Sequence, residues 1–181
     1  MKYRLLSFCT AVLLLISMIS VPRIEAANST ETFKDSADTK IVKLLEALGL
    51  MEIDSETGFF WDEMPVKRSE LAKIICKMFN ISETKDASPH FTDVSDYDRA
   101  YIETAIRNGY MSGYDNEKFG PDDYVTNIQL IKTFVTALGG DAAAQSQGGY
   151  PGGYITIGNM LGLLKGKAVA NENISCRIDV A

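Results

Sequence analysis

The sequence predicts a mainly α-helical protein built from repeated helix–loop–helix units. Apolar residues recur at helical spacing in several segments, and no segment has a convincing alternating strand pattern. Similar stretches also recur along the chain, at residues 47–79, 91–140 and 159–181. A repeat of this length is one supersecondary unit that needs neighbours to bury its apolar face.

The first 26 residues are typical of a secretory signal peptide. Lys2 and Arg4 precede an apolar run over residues 5–21, and Ile24-Glu25-Ala26 supplies a cleavage site with a small residue. The alternative is a membrane anchor, because the run approaches the lower limit of a spanning helix. Serine and threonine residues within the run favour export with cleavage instead. The polar residues 27–38 predict a linker.

The charge balance narrows the range of partners. The 181-residue chain has 18 basic and 24 acidic side chains and a net charge of −6. Removal of residues 1–26 takes away three basic residues and one acid, which moves the net charge to −8. An acidic exported protein is a poor candidate for binding nucleic acid or an anionic membrane surface. We therefore expect neither as a partner once the signal is cleaved.

The sequence predicts no catalytic residues, no metal and no cofactor, and hence no enzyme. Cys76 lies among apolar residues of a predicted helix and is expected to be a small buried residue, while a disulfide with Cys176 stays open. The single histidine, His90, and the absence of C-x-x-C leave no zinc spacing. The acidic runs 93–98 and 115–117 do not fit a calcium loop, and no G-x-S-x-G motif is present.

Helices are predicted in each unit. The predicted helices are 40–50, 67–79, a helix capped by Asp96 or Asp98 and ending at 108, 127–138, 154–161, and one that begins near 175. Thr126 and Gln129 fit a capping box at the start of the fourth. The Gly-rich stretch 139–153 predicts a linker into the third unit.

These units resemble the S-layer homology family. The family pattern is F-x-D-V, a helix ending in Gly, a G-Y-x-x-x-x-F-x-P loop and a T-R-A-E helix start. The second unit matches through Phe91, Asp93, Val94, Gly109, Gly113, Tyr114, Phe119, Pro121 and Thr126. The first keeps Gly49, Gly58, Phe60 and residues 66–70, and the third keeps Gly162, Gly166 and residues 176–179. The resemblance gives repeats at 39–80 and 91–140 and an incomplete third repeat at 148–181.

The resemblance implies a pseudo-threefold assembly around a central three-helix bundle. Because the third core helix is cut off, we expect a fragment or a truncated gene product. The resemblance also implies non-covalent anchoring of an exported protein to the cell wall, through a pyruvylated secondary cell-wall polysaccharide bound in grooves between repeats. The alternative is a helical protein–protein interaction module that binds no sugar and uses surface-protein partners. Asn127 at the position of the family arginine, and Tyr97 where many members have Trp, favour this alternative.

Five residues are candidates for ligand binding. Arg68 and Arg177 fall at the first turn of predicted helices, where a cation opposes the helix dipole by about 0.3–1 kcal/mol. A cation beside unpaired backbone amides indicates an anion site, although an ordinary surface ion pair is the alternative. Trp61 and Tyr114 can stack on sugar rings, whereas Phe60 and Phe119 are expected to fill space between helices. Gly113 permits either a close backbone approach to a ligand or a positive φ angle.

Overall fold

A computed structural model describes residues 39–82, 91–164 and 173–180, all within one compact unit, Phe33–Ala181. These residues form seven helices and no strand, which confirms the mainly-α prediction. The helices are α1 (Thr39–Ala47), α2 (Arg68–Met78), α3 (Asp96–Arg107), α4 (Asn127–Ala137), α5 (Asp141–Ser146), α6 (Gly152–Met160) and α7 (Arg177–Val180). None of them is long and apolar enough to cross a membrane. The predicted signal peptide and linker, residues 1–38, lie outside the described residues.

The helices α2 and α4 begin where the sequence predicts. At the start of α4 the capping box of Thr126 and Gln129 is confirmed, with the Gln129 Oε1 accepting the Thr126 N–H at 3.0 Å. Lys67 stands at the same position before α2 and makes no side-chain cap. Each helix buries one apolar stripe, formed by Leu71, Ile74 and Ile75 in α2 and by Ile128, Ile131 and Val135 in α4.

The cap of α3 differs from the prediction. Ser95, in extended backbone geometry, is the N-cap, and its Oγ accepts the N–H of Asp98 at 3.2 Å. Asp96 and Asp98 lie inside the first turn, where their charge complements the helix dipole. The prediction that Asp96 or Asp98 is the cap is therefore wrong, because the cap lies one residue before the first and three before the second.

The stretch 139–153 is not only a linker, because it contains the short helix α5. Three consecutive alanines, 142–144, favour helix, and the buried Ala144 packs this helix against α6. A Cβ on Gly153 would meet the Ala144 carbonyl oxygen at 2.0 Å, so glycine allows the close crossing. The buried Tyr154 donates a hydrogen bond to the Asp141 carboxylate and ties the two helices together.

Three segments that precede α2, α4 and α7 meet in a closed ring. The Val66 N–H donates to the Ser175 carbonyl (3.0 Å), the Ser175 N–H to the Val125 carbonyl (2.8 Å), and the Val125 N–H to the Val66 carbonyl (2.9 Å). Because every segment both donates and accepts once, the ring fixes the three helix starts side by side. The ring fits the pseudo-threefold arrangement, which stays a prediction.

The helices pack in a repeated order. Helix α3 of the second unit covers α2 of the first, and α6 of the third unit covers α4 of the second. On this pattern α1 would be covered by the core helix of the third unit, of which α7 is the described part. Val180 of α7 packs against the cluster to which α1 contributes, but Leu44 and Leu48 of α1 are 57% and 58% exposed.

The two cysteines of the described region behave differently. Cys76 is buried on α2, as predicted, and its Sγ lies 3.5 Å from the Tyr101 carbonyl oxygen. Cys176 is only partly buried and lies in the segment before α7. No disulfide joins the two.

Candidate functional site

A groove of about 280 Å³ lies between the first and second units, and we call it the Arg68 groove. It is lined by Arg68, Leu71, Gly109, Tyr110, Met111, Ser112, Gly113, Tyr114, Val125, Gln129, Lys132, Thr133 and Tyr150. Three parts of the fold meet here: the start of α2, the loop that follows α3, and one face of α4. Tyr150 adds an edge from the start of the third unit.

Arg68 forms the floor of this groove. Its backbone N–H donates to the Asp123 carbonyl at 2.9 Å, next to the ring of helix starts. Its side chain crosses to the second unit, where Nε donates to the Phe119 carbonyl (3.1 Å) and Nη2 to the Ser112 carbonyl (2.7 Å). The guanidinium lies 4.5 Å from the Phe119 ring centre and 4.8 Å from that of Tyr114. Two aromatic rings and two carbonyls therefore hold the cation in one position.

The charge of Arg68 has no carboxylate partner in the described part of the chain. The residue is only 6% exposed, yet it makes no ion pair there. Burial lowers the pKa of Arg68, while the charges of Tyr114, Asp123 and Asp93 act in the opposite direction. Of its five N–H groups, two are used by carbonyls. A buried cation with unused donors is the arrangement that an anionic ligand would complete.

The loop above Arg68 is fixed by Asp93 of the F-x-D-V motif. Its carboxylate accepts the N–H of Phe119 at 3.0 Å and the N–H of Gly120 at 2.8 Å. Burial raises the pKa of Asp93, but backbone hydrogen bonds and the charge of Lys118 together lower the pKa on balance. Asp93 therefore positions the Phe119 carbonyl, which accepts the hydrogen bond from the Arg68 Nε.

Gly113 is required by packing and not by backbone geometry. A Cβ at this position would meet the Phe91 ring at 2.5 Å and two backbone oxygens at 2.9 Å. Its φ is not in the left-handed region, so the alternative that Gly113 supplies a positive φ angle is wrong. The bare backbone at Gly113 also leaves room in the groove beside Tyr114.

The sequence analysis missed the opposite wall of the groove. Lys132 lies on α4 with its Nζ 5.9 Å from the Tyr150 ring centre and 6.0 Å from that of Tyr154. It forms no ion pair within the described residues, so the groove contains a second cation. Lys132 follows Gln129 by three residues, and this helical spacing could have indicated a shared face. Nothing in the sequence indicated that Tyr150 would come close.

Arg177 lies in a different cluster, the Arg177 cluster, formed by Arg177, Phe60, Glu70, Glu52 and Lys73. Arg177 Nη1 pairs with the Glu70 carboxylate at 3.2 Å, and Nη2 donates to the Glu52 carbonyl. Its guanidinium lies 4.6 Å from the Phe60 ring centre. Lys73 pairs with the Glu52 carboxylate at 3.0 Å. Both cations of this cluster therefore have an acid from the protein itself.

Trp61 does not line the Arg68 groove. Its side chain is 43% exposed, and its ring centre lies 5.0 Å from that of Phe59. Its backbone has φ of +59°, at the position where the second unit has Gly120 with φ of +73°. Left-handed geometry at a bulky residue is uncommon and costs about 1 kcal/mol.

The structure thus brings Arg68, Gly113 and Tyr114 together in one groove, and leaves Arg177 and Trp61 outside it. Ligand binding by each of the five stays a prediction. Phe60 and Phe119 are fully buried, which confirms that they fill the interior. Among the described residues no group of three or more His, Cys, Asp or Glu side chains could hold a metal ion.

Comparison with known proteins gives a consistent set of relatives. The model of the S-layer homology domain matches residues 90–130. A surface layer protein of Brevibacillus choshinensis is 27% identical over 166 residues, which is 88% of this chain and 14% of that protein. A middle cell wall protein of Brevibacillus brevis is 24% identical over 176 residues, which is 94% of this chain and 16% of that protein. The chain therefore spans less than a fifth of either relative.

Proposed function

We propose that this chain, an exported cell-surface protein that carries an S-layer homology domain, holds a protein to the cell wall by binding an acidic wall polysaccharide. The ligand we propose is a secondary cell-wall polymer that bears pyruvyl carboxylates, and the site is the Arg68 groove. The role is binding and not catalysis. We also propose the order signal peptide (1–26), linker (27–38), two repeats (39–80 and 91–140) and a third-repeat segment (148–181).

The observation that carries this proposal is the unpartnered guanidinium of Arg68. Burying a cation without a counter-charge is unfavourable, because the lost hydration is not replaced. The groove around Arg68 instead offers neutral groups and the second cation Lys132. A carboxylate that enters the groove would accept charge-assisted hydrogen bonds from the unused N–H groups of Arg68.

The groove also suits a sugar ring. Tyr110, Tyr114 and Tyr150 line it, and each provides an aromatic face with a polar hydroxyl at its edge. Ser112, Gln129 and Thr133 add hydroxyl and amide groups that can bond sugar hydroxyls. A groove with two cations, three tyrosines and few apolar side chains matches an acidic saccharide better than a lipid or an apolar peptide.

Cosedimentation with purified wall polymer tests the proposal. The full chain is mixed with wall sacculi that retain the polymer, and the pelleted fraction is measured. Arg68→Ala should raise the dissociation constant obtained from the pelleted fractions at least about tenfold, since it removes a charge-assisted contact worth about 1.5–3 kcal/mol. Arg107→Ala, at an exposed position in the last turn of α3, is the matched control and should pellet like the wild type.

Removal of the pyruvyl groups from the polymer tests the ligand class. Mild acid treatment that removes the ketal should reduce pelleting of the wild type to the level of Arg68→Ala. If Arg68→Ala pellets as well as the wild type, the Arg68 groove is not the site. If treated and untreated polymer bind equally, the acidic group is not the recognised feature.

A protein–protein interaction module is the second candidate. Tyr124 and Ile174 lie on the paired segments of the ring and Met64 lies next to them, and each is about half exposed. In addition, the Asn127 side chain accepts a hydrogen bond from the Ser175 Oγ at 2.7 Å and adds no cation to the site between the second and third units. This candidate is favoured if the chain still binds sacculi that have been stripped of the polymer, and if protease treatment of the wall abolishes that binding.

A further inference from the structure

Arg68 and Arg177 stand in matching surroundings. Each is the first residue of its helix, and each guanidinium lies over a buried phenylalanine, at 4.5 Å from Phe119 and 4.6 Å from Phe60. Each also donates a hydrogen bond through Nη2 to a loop carbonyl, and that carbonyl lies three residues after a glycine with a positive φ angle. Those carbonyls belong to Ser112, after Gly109, and to Glu52, after Gly49. The fold therefore contains the same arrangement around an arginine twice.

The second cation is also repeated. Lys132 is the sixth residue of α4 and Lys73 is the sixth residue of α2. Each lies beside a tyrosine of the following unit, with the Nζ of Lys132 5.9 Å from the Tyr150 ring centre and that of Lys73 5.8 Å from the Tyr97 ring centre. Both sites thus contain one arginine and one lysine at corresponding positions.

The two sites differ in their acids. In the Arg177 cluster, Glu70 pairs with Arg177 at 3.2 Å and Glu52 pairs with Lys73 at 3.0 Å. At the corresponding positions of the Arg68 groove stand Gln129, the third residue of α4, and Ser112. Two carboxylates are therefore replaced by a neutral amide and a hydroxyl. The framework is the same, but in the Arg68 groove both cations lack an ion pair within the described residues.

We infer that the Arg177 cluster is a second, latent site for the same acidic saccharide, which Glu52 and Glu70 occupy as internal counter-ions. This inference rests on the proposed function of the Arg68 groove. The Arg177 Nε is buried and has no hydrogen-bond partner among the described residues, so the guanidinium keeps a donor unused even while Glu70 is bound. Ser112 and Gln129 are accordingly the residues that leave the Arg68 groove open.

A count of binding sites tests the inference. The full chain is titrated with soluble fragments of the purified wall polymer, and calorimetry gives the number of sites per chain. The wild type should bind one equivalent, and the double variant Glu52→Ser/Glu70→Gln should bind two. Adding Arg177→Gln to that variant should restore one. Glu46→Ser/Glu56→Gln removes two acids that make no ion pair in the described region, and it should keep one site.

The reciprocal variant closes the open groove. Ser112→Glu/Gln129→Glu introduces the two carboxylates beside Arg68 and Lys132, and it should weaken fragment binding at least tenfold. Glu at position 129 can still accept the Thr126 N–H, so the capping box and the fold are preserved. A circular dichroism melt of each variant confirms that it is folded.

The outcomes separate the inference from the function on which it rests. A wild type that binds one equivalent, together with a folded Glu52→Ser/Glu70→Gln variant that also binds one, overturns the inference and leaves the Arg68 groove standing. Where Arg68→Ala loses fragment binding, unchanged binding by Ser112→Glu/Gln129→Glu overturns the inference as well. Where Arg68→Ala also binds unchanged, the Arg68 groove is not the site and the proposed function fails instead. If the wild type binds nothing and the Glu52→Ser/Glu70→Gln variant binds one equivalent through Arg177, the latent site is real and the Arg68 groove is not the wall site.

Discussion

The Arg68 groove and the Arg177 cluster share the same arrangement of side chains but differ in whether their cations pair with acids. Both place a guanidinium over a buried phenylalanine and direct one of its nitrogens to a loop carbonyl. In the groove that guanidinium has no acid, whereas in the cluster it pairs with Glu70 at 3.2 Å. The difference shows that an arginine at a helix start does not by itself define an anion site. On the proposed function, the deciding feature is whether the neighbouring repeat supplies a carboxylate.

The pair in the Arg177 cluster is also a structural contact. Arg177 is 8% exposed and Glu70 is partly buried, so each reduces the desolvation cost of the other. The Arg68 groove lacks this compensation and depends on carbonyls and aromatic faces instead. A site kept ready for an external anion is therefore expected to contribute less to stability than its closed counterpart. The following four predictions test this comparison, from the largest effect to the smallest.

The floors of the two sites should be equivalent. Phe60→Ala and Phe119→Ala each remove a fully buried ring, and each should lower the free energy of unfolding by about 3–5 kcal/mol. Urea denaturation followed by circular dichroism measures both. Tyr114→Ala, at a largely exposed ring of the groove, is the control and should cost much less. If the free energy of unfolding lost on removing one phenylalanine is several kcal/mol smaller than for the other, the two arginine sites are not packed alike.

Adding a side chain at Gly113 should destabilise the protein, because the space there is already filled. Gly113→Ala places a Cβ 2.5 Å from the Phe91 ring, and overpacking of this kind costs about 1–3 kcal/mol. The corresponding residue of the first unit is Ile53, whereas at Gly113 both the Phe91 ring and two backbone oxygens of the loop crowd the space that a Cβ would take. Combining Gly113→Ala with Phe91→Leu should therefore cost less than the sum of the two single changes in urea denaturation.

Exchanging acid and amide between the sites should have opposite effects on stability. Glu70→Gln leaves Arg177 buried without its counter-charge and should lower the free energy of unfolding by about 1–2 kcal/mol. Gln129→Glu places an acid in the first turn of α4 beside an unpaired arginine and should raise it by about 0.5 kcal/mol. Changes of the same sign in the two variants, measured by thermal melting, would contradict the comparison.

Acid should weaken the Arg177 cluster through Glu52. The hydrogen bond and charge of Lys73 hold the pKa of Glu52 below its ordinary value. This depressed pKa contributes stability above the unfolded-state pKa of about 4.3, and the contribution is lost as the pH falls through the folded-state pKa. The wild type should therefore lose slightly more stability than Glu52→Ser when urea midpoints are compared between neutral pH and about pH 3. Parallel pH profiles would show that Glu52 makes no such contribution.

Much of the fold could be predicted from the sequence because its signals are local. The apolar spacing of α2 and α4 lies within a few turns of helix, and the capping box of Thr126 and Gln129 spans four residues. Helix α5 was missed because the glycines around it indicate a linker, whereas its contact with α6 stabilises the short helix. A six-residue helix depends on such packing, since short helices are marginal alone.

Local sequence patterns were enough to predict a helical protein, a second unit that matches the S-layer homology domain, and a candidate site with Arg68 and Tyr114. The tertiary structure was needed to show which arginine has an acid beside it, since Arg177 pairs with Glu70 and Arg68 makes no ion pair among the described residues. Glu70 and Arg177 are 107 residues apart in the chain, and Ser112 is 44 residues from Arg68. No local pattern encodes these distances, because the partners of each arginine come from a different repeat and are brought into place by the packing of the units.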